Sequence, residues 1–389
     1  MKFILKSILL LFLTIKVVTS CSNDNDSLPN NQTTTEQQKV FQEFWDIYDR
    51  HYPLFHRKNI NWQNIYDTYY PQISSNTTDS QLFSIFNTIM SDVIKDGHTD
   101  VILNNNQEAI YEPPFNQEIK NMVQNNTPNK VTLVTSSIDN PYISYGTLTN
   151  NSSIGYIQSK QFEPINDNFD SEFVNFKTIV DEALTALQNK SGIIVDVRTN
   201  GGGQGMFAFY LAGRFFNNPT SFQVSRERIK TTTGSTISSL GNWATQVFEG
   251  YPDSRAEGGY IAGVSPQDNT VTNSGNFQFT NKVALLTSNE TGSAAEYFTA
   301  AMKSQSHVKT IGDRTFGIFA GSDILTLTNG GGKWKTRVSV HDVEVLYNGS
   351  FQSFEGIGIT PDEQILPTST QVSSGDDVHI TAAINYIIN

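Results

Sequence analysis

The sequence contains a single cysteine, Cys21, so no disulfide can form within the chain and no metal site can be built from several cysteines. Cationic residues are also few, because 26 Lys and Arg stand against 38 Asp and Glu, which leaves a net charge of −12. This charge argues against nucleic acid as a partner. Without disulfides, stability must come from a hydrophobic core, and a mature chain of about 350 residues suffices for one large domain and a smaller one.

The N-terminal apolar run, residues 8–13, is too short to span a bilayer, which takes roughly 20 residues. Lys2 and Lys6 precede this run and small residues lead up to Cys21, so residues 1–21 are predicted to be a secretory signal. A cysteine in this place resembles the lipobox of bacterial lipoproteins. The resemblance implies that Cys21 carries a lipid and anchors the protein to the bacterial cell envelope, on its periplasmic face or outer surface, through a flexible polar tether at residues 22–38.

Three regions are predicted after the tether. Residues 39–105 place aromatic and aliphatic side chains at helical spacing, which predicts a small helical N-terminal domain whose third helix is capped within residues 78–80. Residues 106–150 are rich in Asn and Pro, which indicates a loop or short β linker with no clear PDZ module. Residues 151–389 alternate apolar strands with helices, which predicts an α/β core with a mixed sheet covered on both faces. Within that core, residues 220–280 are typical of an elaborated loop or β excursion.

A serine at the head of a helix is the first candidate for chemistry. An apolar strand over residues 283–287 leads to Gly292, Ser293 and Ala294, and apolar residues at helical spacing follow. The N-terminus of a helix presents unpaired N–H groups and the positive end of the helix dipole, which favour a developing negative charge. Ser293 is therefore a nucleophile or an ordinary N-cap, and this segment leaves both possibilities open.

Three consecutive glycines, residues 201–203, follow a strand predicted over residues 192–197. Glycines accept positive φ and let backbone N–H groups converge on an anion. The Lys-Ser/Thr pair of a P-loop and the Rossmann glycine spacing are both missing, so an oxyanion hole fits better than a phosphate site. A glycine-rich turn with no ligand is the alternative.

His98 and Glu355 are the candidates for a general base and its partner. His98 lies in an Asp-Gly-His-Thr turn, residues 96–99, which fixes its backbone as a general base requires. Glu355 precedes a turn-rich segment at residues 356–362, and a carboxylate is what a catalytic imidazole needs to hold its tautomer. Because a lone histidine is more often structural, neither residue is assigned by its own surroundings.

Taken in order, these segments resemble the C-terminal-processing (tail-specific) serine peptidase family, and more closely its tricorn-like, histidine-using branch. The resemblance covers nearly all of residues 39–366. It rests on motifs at 96–99 (Asp-Gly-His-Thr), 196–203 (Asp-x-Arg-x-Asn-x-Gly-Gly), 291–296 (Thr-x-Ser-Ala-x-Glu), 311–317 (Ile-Gly-x-x-Thr-Phe-Gly) and 355–362 (Glu-Gly-x-Gly-Ile-x-Pro-Asp). It implies serine peptidase activity on a crotonase/ClpP-like mixed β-sheet core with flanking helices, preceded by the helical domain.

The resemblance also implies a role for each matched residue. Ser293 attacks the scissile carbonyl, His98 takes its proton and passes it to the leaving amine, and Glu355 orients His98. The backbone N–H groups of Gly202 and Ala294 form the oxyanion hole. Asp196 and Arg198 brace the glycine loop, and Glu296 forms a capping box with Ser293. The supporting residues are thus Asp196, Arg198, Asn200, Gly203 and Glu296.

Two departures from the family pattern bear on the mechanism. The Ser/Lys branch has a lysine after the Thr-Phe-Gly segment, whereas this chain has Ile-Phe-Ala at residues 318–320, which excludes a Ser/Lys dyad at that position. The next lysines, Lys333 and Lys335, lie in a predicted solvated hairpin. Gly97 stands where the tricorn pattern carries a serine, so a fourth polar member of the relay is not expected.

The sequence therefore predicts a secreted, lipid-anchored serine peptidase with a Ser/His/Glu triad. Its expected substrates are peptides or unfolded proteins, cleaved through an acyl-enzyme with no metal and no organic cofactor. Two alternatives stay open at this point: a catalytically inactive peptide-binding or envelope scaffold with the same fold, and an ester or acyl hydrolase on the same core.

Overall fold

The computed structural model describes residues 34–217, 221–230, 240–243 and 269–389. The predicted signal, Cys21 and most of the tether lie outside these residues, as does much of the excursion predicted at 220–280. Thr35–Asn389 form one compact unit. Its helices are α1 Glu36–His51, α2 Trp62–Tyr69, α3 Asp79–Thr88, α4 Gln117–Asn125, α5 Phe169–Leu187, α6 Gly205–Gly213, α7 Ala294–Lys303, α8 Ser369–Ser373 and α9 Val378–Ile388. A π-helical turn, Ile89–Ile94, continues α3, and 3₁₀ turns span Tyr70–Gln72 and Thr127–Asn129.

Capping residues define where the N-terminal helices begin. Thr78, within the predicted cap residues 78–80, caps α3 in a reciprocal capping box with Gln81. Thr35 and Gln38 form the same box at α1, so that helix starts at Glu36, inside the segment predicted as tether. None of the helices in the described part of the chain is both long enough and apolar enough to span a bilayer.

The described strands form two large and two small sheets. The main sheet has the order β16-β11-β10-β6-β5-β4-β3, and a second sheet has the order β12-β13-β1-β2. The smaller sheets are β15-β14-β8 and β7-β9. The strands are β1 Asp100–Leu103, β2 Gln107–Ile110, β3 Val131–Val134, β4 Ile143–Leu148, β5 Asn151–Ser159, β6 Gly192–Asp196, β7 Phe222–Gln223, β8 Ser225–Arg228, β9 Thr270–Val271, β10 Lys282–Thr287, β11 Val308–Gly312, β12 Ser322–Thr326, β13 Trp334–Ser339, β14 Asp342–Tyr347, β15 Ser350–Gln352 and β16 Glu363–Gln364.

The main sheet is mixed and covered on both faces, as the sequence predicts. Its five strands from β5 to β16 run parallel to one another, and β4 and β3 add an antiparallel edge. Successive residues of β6 enter different cores, because Ile193 packs with α5, α6 and α7 whereas Ile194 packs with α9. Burial on both faces explains why this strand is continuously apolar rather than alternating.

The N-terminal helices share a core with part of the C-terminal region. The strand after the Asp-Gly-His-Thr turn, β1, pairs antiparallel with β13, so that Asp100 lies opposite Arg337. Phe41 and Phe86 from the helices pack in one cluster with Trp334 and Leu327. The helical region and the hairpin β12–β13 therefore stabilise each other, and this packing brings His98 to the core that carries Ser293.

Residues 106–150 contain more regular structure than the predicted loop or β linker. Strands β3 and β4 extend the edge of the main sheet, which fits the β alternative for this region. Helix α4 was not predicted. Its start is defined by the Asn116 side chain, which accepts hydrogen bonds from the N–H groups of Glu118 and Ile119.

Candidate active site

Ser293 lies in the sharp turn that connects β10 to α7. It is the N-cap of α7, with φ 52° and ψ −122°, a backbone conformation that non-glycine residues rarely adopt. The side chain is half-buried, whereas Gly292 and Ala294 on either side are buried. The turn therefore presents the hydroxyl at the positive end of a helix, as a nucleophile requires.

The glycine loop packs directly against this serine. Gly202 has φ +114°, and a Cβ built on it would lie 2.6 Å from Ser293 Cβ and 3.0 Å from Ala294 N. Only glycine fits at this position. The two loops are also joined by hydrogen bonds, since Gly292 N–H donates to Asn200 O at 3.0 Å and Thr291 Oγ1 to Val197 O at 2.8 Å. The predicted proximity of nucleophile and glycine loop is thus present.

The two predicted oxyanion donors differ in whether their N–H group already has an acceptor. Ala294 N–H belongs to the first residue of α7, where the helix itself supplies no acceptor. Gly202 N–H donates to the Asn200 side-chain oxygen at 2.9 Å, and Asn200 Nδ2 is held by Ser159. Gly203 is fixed from its two sides, because Phe162 N–H donates to Gly202 O and Gln204 N–H donates to Phe162 O. In this conformation the hole has one available donor and one that must be shared with Asn200.

Glu296 does more than the predicted capping box requires. Its carboxylate accepts hydrogen bonds from Ser293 N–H at 3.1 Å, from Thr315 Oγ1 at 2.6 Å and from the N–H groups of Gly317 and Ile318 at 2.7 and 2.8 Å. Burial raises the pKa of this fully buried carboxyl to about 7, against the lowering effect of these four donors. Glu296 therefore ties the nucleophile turn to the Thr-Phe-Gly motif and to Ile318, the residue after it.

Asp196 and Arg198 brace the base of the glycine loop, in the way the sequence predicts. Arg198 is 1% exposed and binds Asp196 through Nε and Nη2, at 2.9 and 2.7 Å. Sequence reasoning missed the rest of this cluster, in which Asp377, the N-cap of α9, accepts from both Nη atoms of Arg198. Thr127 and His379 complete it. A guanidinium this deeply buried needs acceptors for its N–H groups as well as an opposite charge, but sequence spacing does not identify the residues that supply them.

His98 and Glu355 approach each other around Ala320. Glu355 Oε2 accepts from the N–H groups of Phe319 and Ala320 at 2.9 and 3.2 Å, and the Ala320 backbone also lies beside the His98 ring. His98 Nδ1 and Glu355 Oε1 are both buried and have no hydrogen-bond partner among the described residues. The donor and the acceptor that a triad would join are therefore the two atoms left unpaired.

Burial moves the pKa values of these two groups in opposite directions. Burial lowers the pKa of His98, and the nearby Asp96 carboxylate offsets part of that effect. Burial and the Asp96 carboxylate together raise the pKa of Glu355 to about 8, even though Lys58 acts to lower it. Both groups therefore favour their neutral forms near pH 7, which suits a general base but leaves the carboxylate only partly ionised.

Ile318 joins the serine side of the site to the histidine side. A Cβ at Gly292 would lie 3.1 Å from Ile318 Cδ1, and one at Gly97 would lie 3.4 Å from Ile318 Cγ2. Among the described residues, no hydrogen bond links Ser293 to His98 or His98 to Glu355. Gly97 also has no room for the serine of the tricorn pattern, because a Cβ there would lie 2.8 Å from Phe316 Cζ.

No cluster of potential metal ligands occurs among the residues described here.

Comparison with known proteins matches the chain to a peptidase family. The profile of "Peptidase family S41" matches residues 153–365, more than half of the chain, and that of "Tricorn protease C1 domain" matches residues 33–91. A search of curated protein sequences found no match.

Solved structures confirm the predicted fold class. A putative peptidase from Parabacteroides merdae is 22% identical, covers 91% of this chain and 98% of its own, and has a TM-score of 0.68. Mature CPAF is 10% identical over 90% of this chain and 98% of its own, with a TM-score of 0.56. Mature CPAF complexed with lactacystin is 9% identical over 90% and 98% of the two chains, with a TM-score of 0.54.

Proposed function

This chain belongs to peptidase family S41 and is a serine-type peptidase, and on that premise we propose that it works through a triad of Ser293, His98 and Glu355. The observation that carries the proposal is the pair of unpartnered buried atoms, His98 Nδ1 and Glu355 Oε1, on two side chains that meet at Ala320. A hydrogen bond between them satisfies both, fixes the tautomer of His98 and leaves Nε2 free to act as base.

In the proposed mechanism, His98 takes the proton of Ser293 as the hydroxyl attacks the scissile carbonyl. The acyl-enzyme forms, and His98 returns the proton to the leaving amine before water completes the cycle. The developing oxyanion lies between Ala294 N–H and Gly202 N–H, which turns from Asn200 or shares its hydrogen with it. Substrate binding closes the remaining gap between Ser293 and His98, as hydrogen bonds in free enzymes are often longer than in the reacting complex.

The substrates that we propose are peptides and unfolded proteins. The test is turnover of a fluorescently labelled unfolded protein together with labelling by a fluorophosphonate probe, for the wild type and for Ser293→Ala. We expect both signals to disappear in Ser293→Ala and to persist in Ser304→Ala, which removes a serine at the other end of the same helix. Turnover that survives Ser293→Ala rules out this nucleophile. Turnover of acyl esters but no peptide cleavage favours the ester hydrolase alternative, and no turnover of either favours the scaffold.

We also propose that the protein is secreted and held at the cell envelope by a lipid on Cys21. The support lies in the sequence alone, because Cys21 is outside the described residues and follows a short apolar run and small residues. The expected result is that wild-type protein partitions into the detergent phase of Triton X-114 and that Cys21→Ser stays in the aqueous phase. Equal partitioning of the two proteins would contradict the lipid anchor.

A further inference from the structure

Two cavities flank the turn that carries Ser293. One, here called the Glu355 cavity, has a volume of about 520 Å³ and is lined by Ile318 and Glu355. The other, the Gly201 cavity, has a volume of about 580 Å³. A Cβ at Gly292 would lie 3.1 Å from Ile318 Cδ1 and 3.3 Å from Gly201 O, so the residue before the nucleophile touches a wall of each cavity. Ser293 itself lines neither cavity, but the cavities lie on either side of its turn, so a peptide that crosses Ser293 would extend toward both.

The segment from Pro114 to Asn116 separates the cavities. Pro114 lines the Glu355 cavity and Phe115 lines the Gly201 cavity, and the Phe115 ring packs edge-on against Phe316 at 5.8 Å. Asn289 holds this segment in place, because its Nδ2 donates to Pro114 O at 3.1 Å and its Oδ1 accepts from Asn116 N–H at 3.2 Å. The segment between the cavities thus presents apolar side chains, and the Asn289 side chain holds its backbone in place.

The charges that line both cavities are mostly positive. The Glu355 cavity has four cations, Arg57, Lys58, Lys95 and Arg314, and one carboxylate, Glu355. Arg57 pairs with Asp342 and Glu344, whereas the other three cations form no ion pair within the described residues, although Lys58 lowers the pKa of Glu355.

The Gly201 cavity repeats this imbalance. It is lined by Lys120 and Lys160 against Glu290. Lys120 lies 3.8 Å from Glu290, and exposed Lys160 makes no ion pair within the described chain. In a protein with a net charge of −12, unpaired cations on both sides of the nucleophile are a local reversal of sign. Such a reversal attracts anionic ligands and repels cationic ones.

We infer that the preferred substrates are acidic peptides, with Asp or Glu side chains on both sides of the scissile bond. The inference rests on the proposed function. Arg314 and Lys95 at the rim of the Glu355 cavity bind a carboxylate on one side, and Lys160 binds one on the other, while Phe115 and Phe316 pack against the aliphatic part of the side chains. Basic peptides are excluded by the same charges.

Matched peptides test the inference. A cleavage map of an unfolded protein supplies one cleaved sequence, which is made as an internally quenched peptide with Glu on both sides of the bond and as its Gln counterpart, both with amidated C-termini. We expect kcat/KM to be about tenfold higher for the Glu peptide at low salt, as two exposed charge pairs would provide, and the ratio to shrink in 0.5 M NaCl as charges are screened. The double variant Arg314→Glu/Lys160→Glu should remove the preference.

Lys335→Glu is the control for charge, because Lys335 lies on β13 outside both cavities, and it should keep the preference. Equal kcat/KM for the Glu and Gln peptides in the wild type overturns the inference while the proposed function stands. A third peptide has Gln on both sides of the bond and a free C-terminus. If its kcat/KM exceeds that of the amidated Glu peptide, the inference is also overturned, because the enzyme then recognises the terminal carboxylate and not the acidic side chains. Failure of the proposed function is distinguishable, because neither peptide is then cleaved and Ser293 is not labelled by the fluorophosphonate.

Discussion

Ser293 holds a backbone conformation that few residues tolerate, and its neighbours compensate for the strain. A non-glycine residue at positive φ costs on the order of 1–3 kcal/mol. Glu296 accepts the Ser293 N–H, and Gly202 leaves just enough space for the Ser293 side chain. These contacts stabilise a turn that is unfavourable by itself, which is typical of a catalytic nucleophile.

Gly202→Ala should remove most of the activity, whereas Gly349→Ala, in the turn between β14 and β15, should leave it nearly unchanged. An alanine Cβ at residue 202 collides with Ser293 Cβ and Gly292 O, and its φ of +114° is strained for any side chain, whereas Gly349 also has a positive φ, +78°, but nothing lies within 4 Å of a Cβ there. We expect kcat/KM to fall by about 10² or more in Gly202→Ala, the effect of losing one oxyanion donor. Steady-state kinetics and thermal unfolding of the pair measure this, and equal activity of the two variants would contradict it.

The pH dependence of activity should reflect Glu355. Because burial raises its pKa to about 8, the carboxylate that stabilises the imidazolium is formed only as pH rises through that value, so kcat/KM should increase between pH 6.5 and about 9. His98 does not set this limb, since burial lowers its pKa and the ring is already neutral. Glu355→Gln should remove the limb and lower kcat/KM by about 10²–10⁴.

The same variant should be more stable than wild type at high pH. For a carboxyl whose pKa rises from 4.5 in the unfolded chain to about 8 in the folded one, the favourable contribution is fully present below pH 4.5 and is lost as pH rises to about 8. Glu355→Gln stays neutral, so at pH 9 its free energy of unfolding should exceed that of wild type by roughly 1–3 kcal/mol. Glu363→Gln, at a glutamate paired with Lys309, is the control. If kcat/KM of Glu355→Gln still rises between pH 6.5 and about 9, a group other than Glu355 is responsible for the pH dependence of activity.

Individual elements contribute one or two side chains each to the site. Helix α7 supplies Glu296, which reaches the Thr-Phe-Gly motif, and the N-cap of α9, Asp377, reaches the glycine loop through Arg198. The last helix of the chain thus supports a loop nearly 180 residues earlier, with Asp377 and Arg198 separated by 179 positions. Ends of helices and strands, rather than their middles, carry the functional contacts.

Asp377→Asn should weaken both stability and catalysis. Asn retains the N-cap of α9 but removes one of the two carboxylates that neutralise the fully buried Arg198. Burial raises the pKa of Asp377, but Arg198 outweighs this effect and the net pKa is lowered, so the carboxylate is charged at neutral pH. We expect the free energy of unfolding to fall by about 3 kcal/mol or more.

Catalysis should weaken through both kcat and KM in this variant, because the loosened loop positions the Gly202 oxyanion donor and also lines the Gly201 cavity through Thr199 and Gly201. Exposed Asp376→Asn, one residue earlier, is the matched control and should behave as wild type. Denaturant unfolding and steady-state kinetics of both variants provide the comparison. Wild-type stability in Asp377→Asn would mean that Asp196 alone suffices to neutralise Arg198.

At the scale of the whole molecule, the helical N-terminal region and the peptidase core are not independent. The hydrophobic cluster that contains Phe41 and Phe86 also contains Trp334, Val338 and Leu325. The pairing of β1 with β13 adds a continuous ladder between the two parts. The site crosses this boundary, since His98 precedes β1 and Ser293 follows β10.

A fragment of residues 151–389 should therefore fail to fold on its own. Removing residues 35–150 exposes Trp334, which is fully buried, and leaves β13 with a free edge that promotes aggregation. Size-exclusion chromatography and Trp fluorescence of the fragment, with Thr35–Asn389 as control, measure this. A monomeric fragment with native-like fluorescence would contradict the shared core.

Much of the fold and part of the site were predictable from local patterns. The Thr78 cap, the buried strand β6 and the strand–serine–helix order at Ser293 follow from propensities and periodicities that act within about ten residues. The unpredicted helix α4 and the early start of α1 depend on single caps, Asn116 and Thr35, in segments where polar composition favoured a loop or tether.

The sequence by itself determined which chemistry is possible: a serine on a helix, glycines after a strand, and an isoleucine where a lysine would be needed. Only the tertiary structure decided which of these residues lie next to each other. His98 and Glu355 meet at Ala320 through the pairing of β1 with β13, and Asp377 reaches Arg198 through the packing of α9 on the main sheet. The physical reason is that propensity and capping act locally, whereas burial and charge pairing are satisfied between residues far apart in the chain.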